Sequence, residues 1–206
     1  LVNGLNAKKI IIGHDHRFGR NRTANINDLK SFGLTYGFEV EEIPAQEVND
    51  VSVSSTKIRK ALDQGNVSKA NEYLGYAYLL TGKVEKGKGL GHTLGFATAN
   101  LAIGEPYKLI PKNGAYLVKG QIKGQVHYGM MNIGYNPTVT KPGNGDQRKI
   151  EIHFFDLDQN LYGKNLQISM LSRLRDEQRF GSIKALKEQL ISDKKTSLQM
   201  IKKRNA

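Results

Sequence analysis

The stretch "GLGHTLGFATANL", residues 89–101, holds two neutral side-chain oxygens two positions apart, on Thr98 and Asn100. In an extended chain, residues i and i+2 share a face, so both oxygens aim at one place. Before them stand Gly87, Gly89, Gly91 and Gly95, whose missing side chains let backbone approach a ligand closely. An open backbone beside two hard oxygen donors suits a polyphosphate with a hard metal ion. The Walker pattern is absent, and no G-x-G-x-x-G opens a helix after a strand. The competing reading is a Gly-rich hairpin whose Thr and Asn satisfy local backbone groups.

A second anion-directed cluster joins Ser54, Ser55, Thr56 and Arg59 at a helix start. Unpaired N–H groups and the positive dipole end bind phosphate there, and Arg59 lies about one turn on. Ordinary capping by Ser54 or Ser55 explains the serines equally directly. Glu151, in "IEIHFFDLD", shares a strand face with His153, opposite Ile150 and Ile152. Such a carboxylate is a general base, a metal ligand or a solvated outer residue. The five histidines show no zinc-type spacing. "MNIGYNPTV" packs Asn132, Gly134, Asn136, Pro137 and Thr138 into a turn. "LRDEQRF" interleaves Arg175, Asp176, Glu177, Arg179 and Phe180 before a helix. Charge beside an aromatic suits a flat polar ligand, or is a salt-bridge cluster opening that helix.

The elements around these residues change character along the chain. "KKIIIG" reads as a buried parallel strand. Asn27 is placed to cap a helix through "DLKSFGLTYG", and "FEVEEIPA" alternates as a strand. Helices follow in "VSVSSTKIRKALDQG" and "VSKANEYLG". Strand–helix alternation implies a parallel sheet. From residue 82 glycines crowd and short strands dominate: "GKVEKG", "TANLAI", "GAYLVKGQIKG", "QVHYGMMNIG", "KIEIHFF" and "NLQISMLSRL". These predict an antiparallel barrel or sandwich. Ile183, Leu186 and Leu190 then mark the barrel-facing side of a last helix. The expected fold class is α/β followed by all-β, with domains at 1–79 and 80–206.

Length and composition bound the rest. A chain of 206 residues with 38% hydrophobic and 24% charged residues is globular, not disordered. No apolar run reaches the ~18 residues of a membrane span, so no membrane partner is expected. Without cysteine there is no disulfide or thiolate metal site, which is compatible with the cytoplasm. The first residue is leucine, which points to a fragment or a processed product. A net charge of +12 favours anionic partners. Composition is silent on oligomeric state.

The ordered motifs "GKVEKGKGLGHTLGFATANL", "MNIGYNPTV", "IEIHFFDLDQNLYGK" and "LRDEQRFGSIKALKEQL" resemble the riboflavin kinase domain. Ahead of them, "IIGHDHRFGRNR" and "VSVSSTKIR" look like later motifs of the FMN adenylyltransferase domain. Together they resemble the bacterial bifunctional riboflavin kinase/FAD synthetases. The resemblance implies a partial Rossmann-like nucleotidyltransferase domain, then a six-stranded antiparallel barrel with a C-terminal helix. It implies a flap of Gly87, Gly89, Gly91 and Gly95 over ATP phosphates, with Lys86 and Lys88 beside it. Thr98 and Asn100 match residues that hold Mg²⁺ and phosphate oxygens, and Glu151 matches the catalytic glutamate. Arg175, Glu177 and Phe180 fall in the segment that closes on the flavin. Asp15, Arg17, Ser54, Ser55, Thr56 and Arg59 match adenylyltransferase nucleotide-binding positions. Riboflavin, ATP and FMN are the implied partners, FMN and FAD the products.

There are departures: Ala97 stands for the usual proline, Leu90 and His92 for basic residues, and His16 for phenylalanine. The paired-histidine N-terminal nucleotide motif is missing from these residues, so adenylyl transfer is expected to be incomplete. The alternative is a basic β-barrel that binds RNA or single-stranded DNA by a positive groove and stacking aromatics. Tryptophan is absent and the Phe and Tyr residues are scattered, so no nucleic acid is expected.

Overall fold

A computed structural model describes residues 2–13, 15–45, 47–48, 51–87, 90–135 and 148–205. They form two compact units, Leu1–Val53 and Ser54–Ala206. The first opens with a short helix α1 (Val2–Leu5), then β1 (Lys9–Gly13), α2 (Ile26–Tyr36) and β2 (Glu39–Ile43). β1 and β2 pair in parallel, Lys9 opposite Glu39 through Gly13 opposite Ile43, as strand–helix alternation requires. A two-residue ladder, β3 (Glu47–Val48) with β4 (Val51–Ser52), ends the unit.

Asn25, not Asn27, caps α2. Its side chain accepts from the Asn27 and Asp28 N–H groups, while Asp28 accepts from the Asn25 N–H. That reciprocal box satisfies otherwise orphaned donors and needs an acid three residues after the cap, which only Asn25 has.

The second unit begins with α3 (Ser55–Asp63) and α4 (Val67–Leu74). The strands are β5 (Tyr78–Glu85), β6 (Ala99–Ala102), β7 (Gly114–Ile122), β8 (Gln125–Gly134), β9 (Lys149–Phe154) and β10 (Asn165–Asp176). A helical turn α5 (Leu90–Thr93) separates β5 from β6, and α6 (Ile183–Asn205) closes the chain. The six strands close into an antiparallel barrel in the order β10-β5-β6-β9-β8-β7, the expected fold.

Alternate residues fill the barrel. Val84, Leu101, Tyr116, Val118, Met131, Ile133, Ile150, Ile152, Ile168 and Met170 share one core with Ala61, Leu62, Val67 and Ala70 of α3 and α4. Asn71 ties α4 to the barrel, donating to the Met170 carbonyl at 2.9 Å and accepting from the Tyr78 N–H at 2.7 Å. By packing, the chain therefore divides at Val53–Ser54, ahead of the change in sequence pattern near residue 80. Two short helices here finish a barrel core instead of covering a parallel sheet.

Outside the barrel a second apolar cluster joins Leu94, Phe96, Met130 and Phe155 to Leu186, Leu190 and Ile201 of α6. Leu186 and Leu190 face the barrel as expected. Ile183 does not, being 63% exposed. It is the first residue of α6, a turn short of the packed stretch.

Candidate active site

The site rests on one row of cross-strand partners. Glu85 of β5 stands opposite Asn100 of β6, and Asn100 opposite Glu151 of β9. Glu151 stands in turn opposite Asn132 of β8. Opposed residues share a face with Cβ atoms about 4.5–5.5 Å apart. Ala99, Leu101, Ile150 and Ile152 occupy the core, so Asn100, Glu151 and Asn132 stand on the outer face. Two residues expected from different motifs are thus neighbours, and Asn132 joins them.

Glu151 is half-buried. Burial holds its carboxyl above the usual range, with a small opposing pull from Lys149. A carboxylate that takes up a proton more readily than in water suits a general base.

The glycines before β6 work by closeness. A Cβ at Gly87 would lie 2.1 Å from Asn100 Nδ2 and 3.0 Å from its Oδ1. One at Gly91 would lie 2.3 Å from the Phe96 carbonyl oxygen and 3.3 Å from Thr98 Oγ1. Backbone thus lies directly on the two oxygen-bearing side chains, a cradle that any side chain would fill. Gly95 has φ +80°, the left-handed region that favours glycine. The flap is not wholly open loop. α5 forms a helical turn in it, the Phe96 N–H bonds Gly91 O at 2.9 Å, and Leu94 and Phe96 are buried. Lys86 is exposed. Lys88 and Gly89, like Asn136, Pro137 and Thr138, lie outside the described residues.

His153 follows Glu151 on the same face. Its Nδ1 is 2.9 Å from the Ala97 carbonyl oxygen, and Phe96 and Phe155 meet its ring near edge-on. Burial holds its pKa below the ordinary histidine value.

The "LRDEQRF" segment is held by the protein itself. Arg175 Nε lies 3.1 and 3.0 Å from the two carboxylate oxygens of Asp193 on α6, and its Nη2 is 2.9 Å away. Arg175 Nη1 donates to the Asp176 carbonyl, and Gln189 supports Asp193 at 2.8 Å. Glu177 accepts from Asn113 Nδ2 at 2.9 Å and from the Tyr135 N–H at 3.0 Å. Asp176 pairs with Lys112 and Arg173, which hold its carboxyl below the usual range. Arg175 and Glu177, expected beside a flat ligand, have internal partners in Asp193, Asn113 and the Tyr135 N–H. Their polar atoms pin the segment after β10 to α6, to the start of β7 and to the end of β8. Phe180 is half-buried beneath the Arg175 guanidinium, 5.7 Å from it.

Ser54 caps α3 by accepting from the Lys57 N–H at 3.3 Å, the ordinary reading of that serine. Ser55, Thr56 and Arg59 are exposed on the first turns of α3. Asp15 and Arg17 are exposed in the first unit. Among the described residues no group of three or more His, Asp or Glu side chains could hold a metal ion.

Sequence reasoning missed Asp193, Gln189 and Asn113. Asp193 carried a signal: an acid three residues after Leu190 in an apolar stripe, now 5% exposed.

A closed six-stranded antiparallel barrel, crossed by a C-terminal helix and bearing a polar row under a glycine flap, has the architecture of a flavokinase barrel. Residues 74–201 match the riboflavin kinase family, and residues 1–57 match the FAD synthetase family. The chain belongs to the riboflavin kinase family. A bifunctional riboflavin kinase/FMN adenylyltransferase of Buchnera aphidicola is 38% identical over 195 residues, 94% of this chain and 61% of that protein. Its Escherichia coli K12 counterpart is 34% identical over 198 residues, 96% of this chain and 61% of that protein. The chain thus spans about three fifths of these relatives' length. A crystal structure described as a macrolide-efflux protein from Streptococcus pneumoniae superposes with a TM-score of 0.83 at 33% identity. The match covers 95% of this chain and 62% of that one.

Proposed function

We propose that the chain transfers the γ-phosphoryl group of ATP to riboflavin, yielding FMN, with residues 80–206 as the kinase domain. The observation that carries this reading is the Asn100–Glu151 pairing on the outer face of the barrel. Phosphoryl transfer needs positioning, charge neutralisation and a base for the hydroxyl proton. Glu151 takes that proton from the ribityl 5′-hydroxyl. Thr98 and Asn100, under Gly87 and Gly91, present hard oxygens that fit a divalent ion such as Mg²⁺. Bound there, the ion neutralises charge on the transferring phosphate. Phe180 offers the aromatic surface for the flavin, on a segment that Arg175 and Glu177 keep in place. ATP as donor fits a reaction in the cytoplasm.

Residues 1–79 are proposed as the C-terminal part of an FMN adenylyltransferase domain. Asp15 and Arg17 of the first unit, and separately Ser54, Ser55, Thr56 and Arg59 of α3, are matched to nucleotide-side positions of such a domain by the family resemblance. In the complete protein that domain converts FMN to FAD.

Incubating the chain with riboflavin, ATP and Mg²⁺ and separating flavins by chromatography tests the reading. FMN that appears only with all three components supports it. Strong, salt-sensitive binding of a labelled oligonucleotide, with no quenching of riboflavin fluorescence and no FMN, would replace it with the nucleic-acid reading.

A further inference from the structure

We propose that His153 is a positioning residue that sets Thr98 by holding the backbone one residue before it, locking the flap to the strand that carries Glu151. The proposal rests on the kinase reading above. A carbonyl oxygen only accepts, so the 2.9 Å contact between His153 Nδ1 and Ala97 O requires the proton on Nδ1. The ring is fixed on both sides, its centroid 5.1 Å from Phe96 and 5.9 Å from Phe155. Phe155 is in turn covered by Lys194 of α6, 5.5 Å from its ring. Burial disfavours the imidazolium, and a neutral ring with Nδ1–H is the form this contact needs.

What the bond restrains is specific. β6 begins at Ala99, so residues 96–98 lie outside regular strand pairing. Ahead of Ala97, the Phe96 N–H reaches back to Gly91 O at 2.9 Å, which ties α5 to the same stretch. Behind it comes Thr98, against Gly91. His153 and Glu151 share one strand and one face. A single rigid strand therefore carries the base and a strut to the phosphate-side residues. The two halves of the site keep their spacing because they are joined through this ring.

The test uses the full chain with His153→Leu, His153→Asn, and His153→Leu combined with Ala97→Pro. Asparagine keeps an N–H donor near the Nδ1 position, and proline restrains φ at residue 97 without using the histidine. His153→Leu is expected to raise the KM for ATP·Mg about 3- to 10-fold, the range of one lost hydrogen bond. The riboflavin Kd should move less than about twofold on the same scale. Amide exchange at residues 96–100, followed without ligands, should accelerate. His153→Asn should recover most of both effects, and Ala97→Pro should slow exchange in the leucine background.

An unchanged KM and unchanged exchange in His153→Leu would overturn the proposal. So would parallel losses of ATP and riboflavin binding with a lowered unfolding midpoint, which mark a purely structural residue. If the parent chain makes no FMN, the kinase reading falls, and the role assigned to His153 falls with it. An active parent with an indifferent His153→Leu removes the strut alone.

Discussion

Asn100 on β6 stands directly opposite Glu151 on β9, both turned outward from a barrel whose interior is filled by their neighbours Ala99, Leu101, Ile150 and Ile152. About fifty residues separate them in the chain. The antiparallel ladder brings a neutral oxygen donor and a half-buried carboxylate to one patch, beneath glycines whose backbone packs closely on Asn100 and Thr98.

Glu151→Gln is expected to preserve the barrel and riboflavin binding while lowering turnover about 10²- to 10⁴-fold, the usual worth of a positioned base. Stopped-assay FMN formation checks it. Turnover near the parent's would take Glu151 out of the reaction.

The raised carboxyl of Glu151 also gives a pH signature. The base works ionised, so turnover should rise as pH climbs through its raised folded value. Stability runs the other way. The folded state binds this proton more tightly than the unfolded chain, so stability is lost as pH rises from the unfolded pKa through the folded one. Glu151→Gln should therefore melt higher than the parent at neutral pH, and the gap should close below the ordinary carboxylate range. Thermal melts across pH decide it; a gap that widens in acid contradicts the desolvation account.

Gly87→Ala puts a methyl where Asn100 Nδ2 lies 2.1 Å away, so the carboxamide must move. Gly87 is exposed, and the stability change should stay within about 0.5 kcal/mol. Binding of ATP·Mg should weaken, as it should also in Asn100→Ala and Thr98→Ala, with riboflavin affinity much less affected. Equal losses for both ligands would return these residues to a hairpin-structural role.

Asp193→Ala strands the Arg175 guanidinium, whose side chain is only 15% exposed. Removing one partner of a buried pair costs about 3–5 kcal/mol. Denaturant unfolding should show that loss. Asp193→Asn, which keeps an acceptor, should cost less. A loss within about 0.5 kcal/mol, typical of surface sites, would show the pair to be solvated.

Given FMN, ATP and Mg²⁺, this 206-residue chain should make little or no FAD. Adenylyl transfer needs the α-phosphate region held from both sides, and the paired-histidine motif that the family resemblance requires is not among these residues. FAD formation at a rate near FMN formation, followed by chromatography, would show that motif to be dispensable.

Local sequence determined the elements. Each of the six barrel strands overlaps a stretch that the sequence pattern marked, because the period of two follows from the strand backbone itself, though β5 starts at Tyr78, four residues ahead of "GKVEKG". It also marked Glu151 as outward, since Ile150 and Ile152 left it no other face. The cap of α2 is Asn25, two residues ahead of Asn27, a choice between nearby asparagines that the Asp28 carboxylate decides.

Tertiary structure alone decided which faces met. Register between β6, β8 and β9 set Asn100, Glu151 and Asn132 side by side, and register depends on barrel closure, which no single strand encodes. α3 and α4 joined the barrel because their apolar faces completed its core. Arg175 meets Asp193 because α6 brings that carboxylate within 3.0 Å of it. A guanidinium takes the buried carboxylate nearest in space, and nearness in space is the one property that spacing along the chain does not carry.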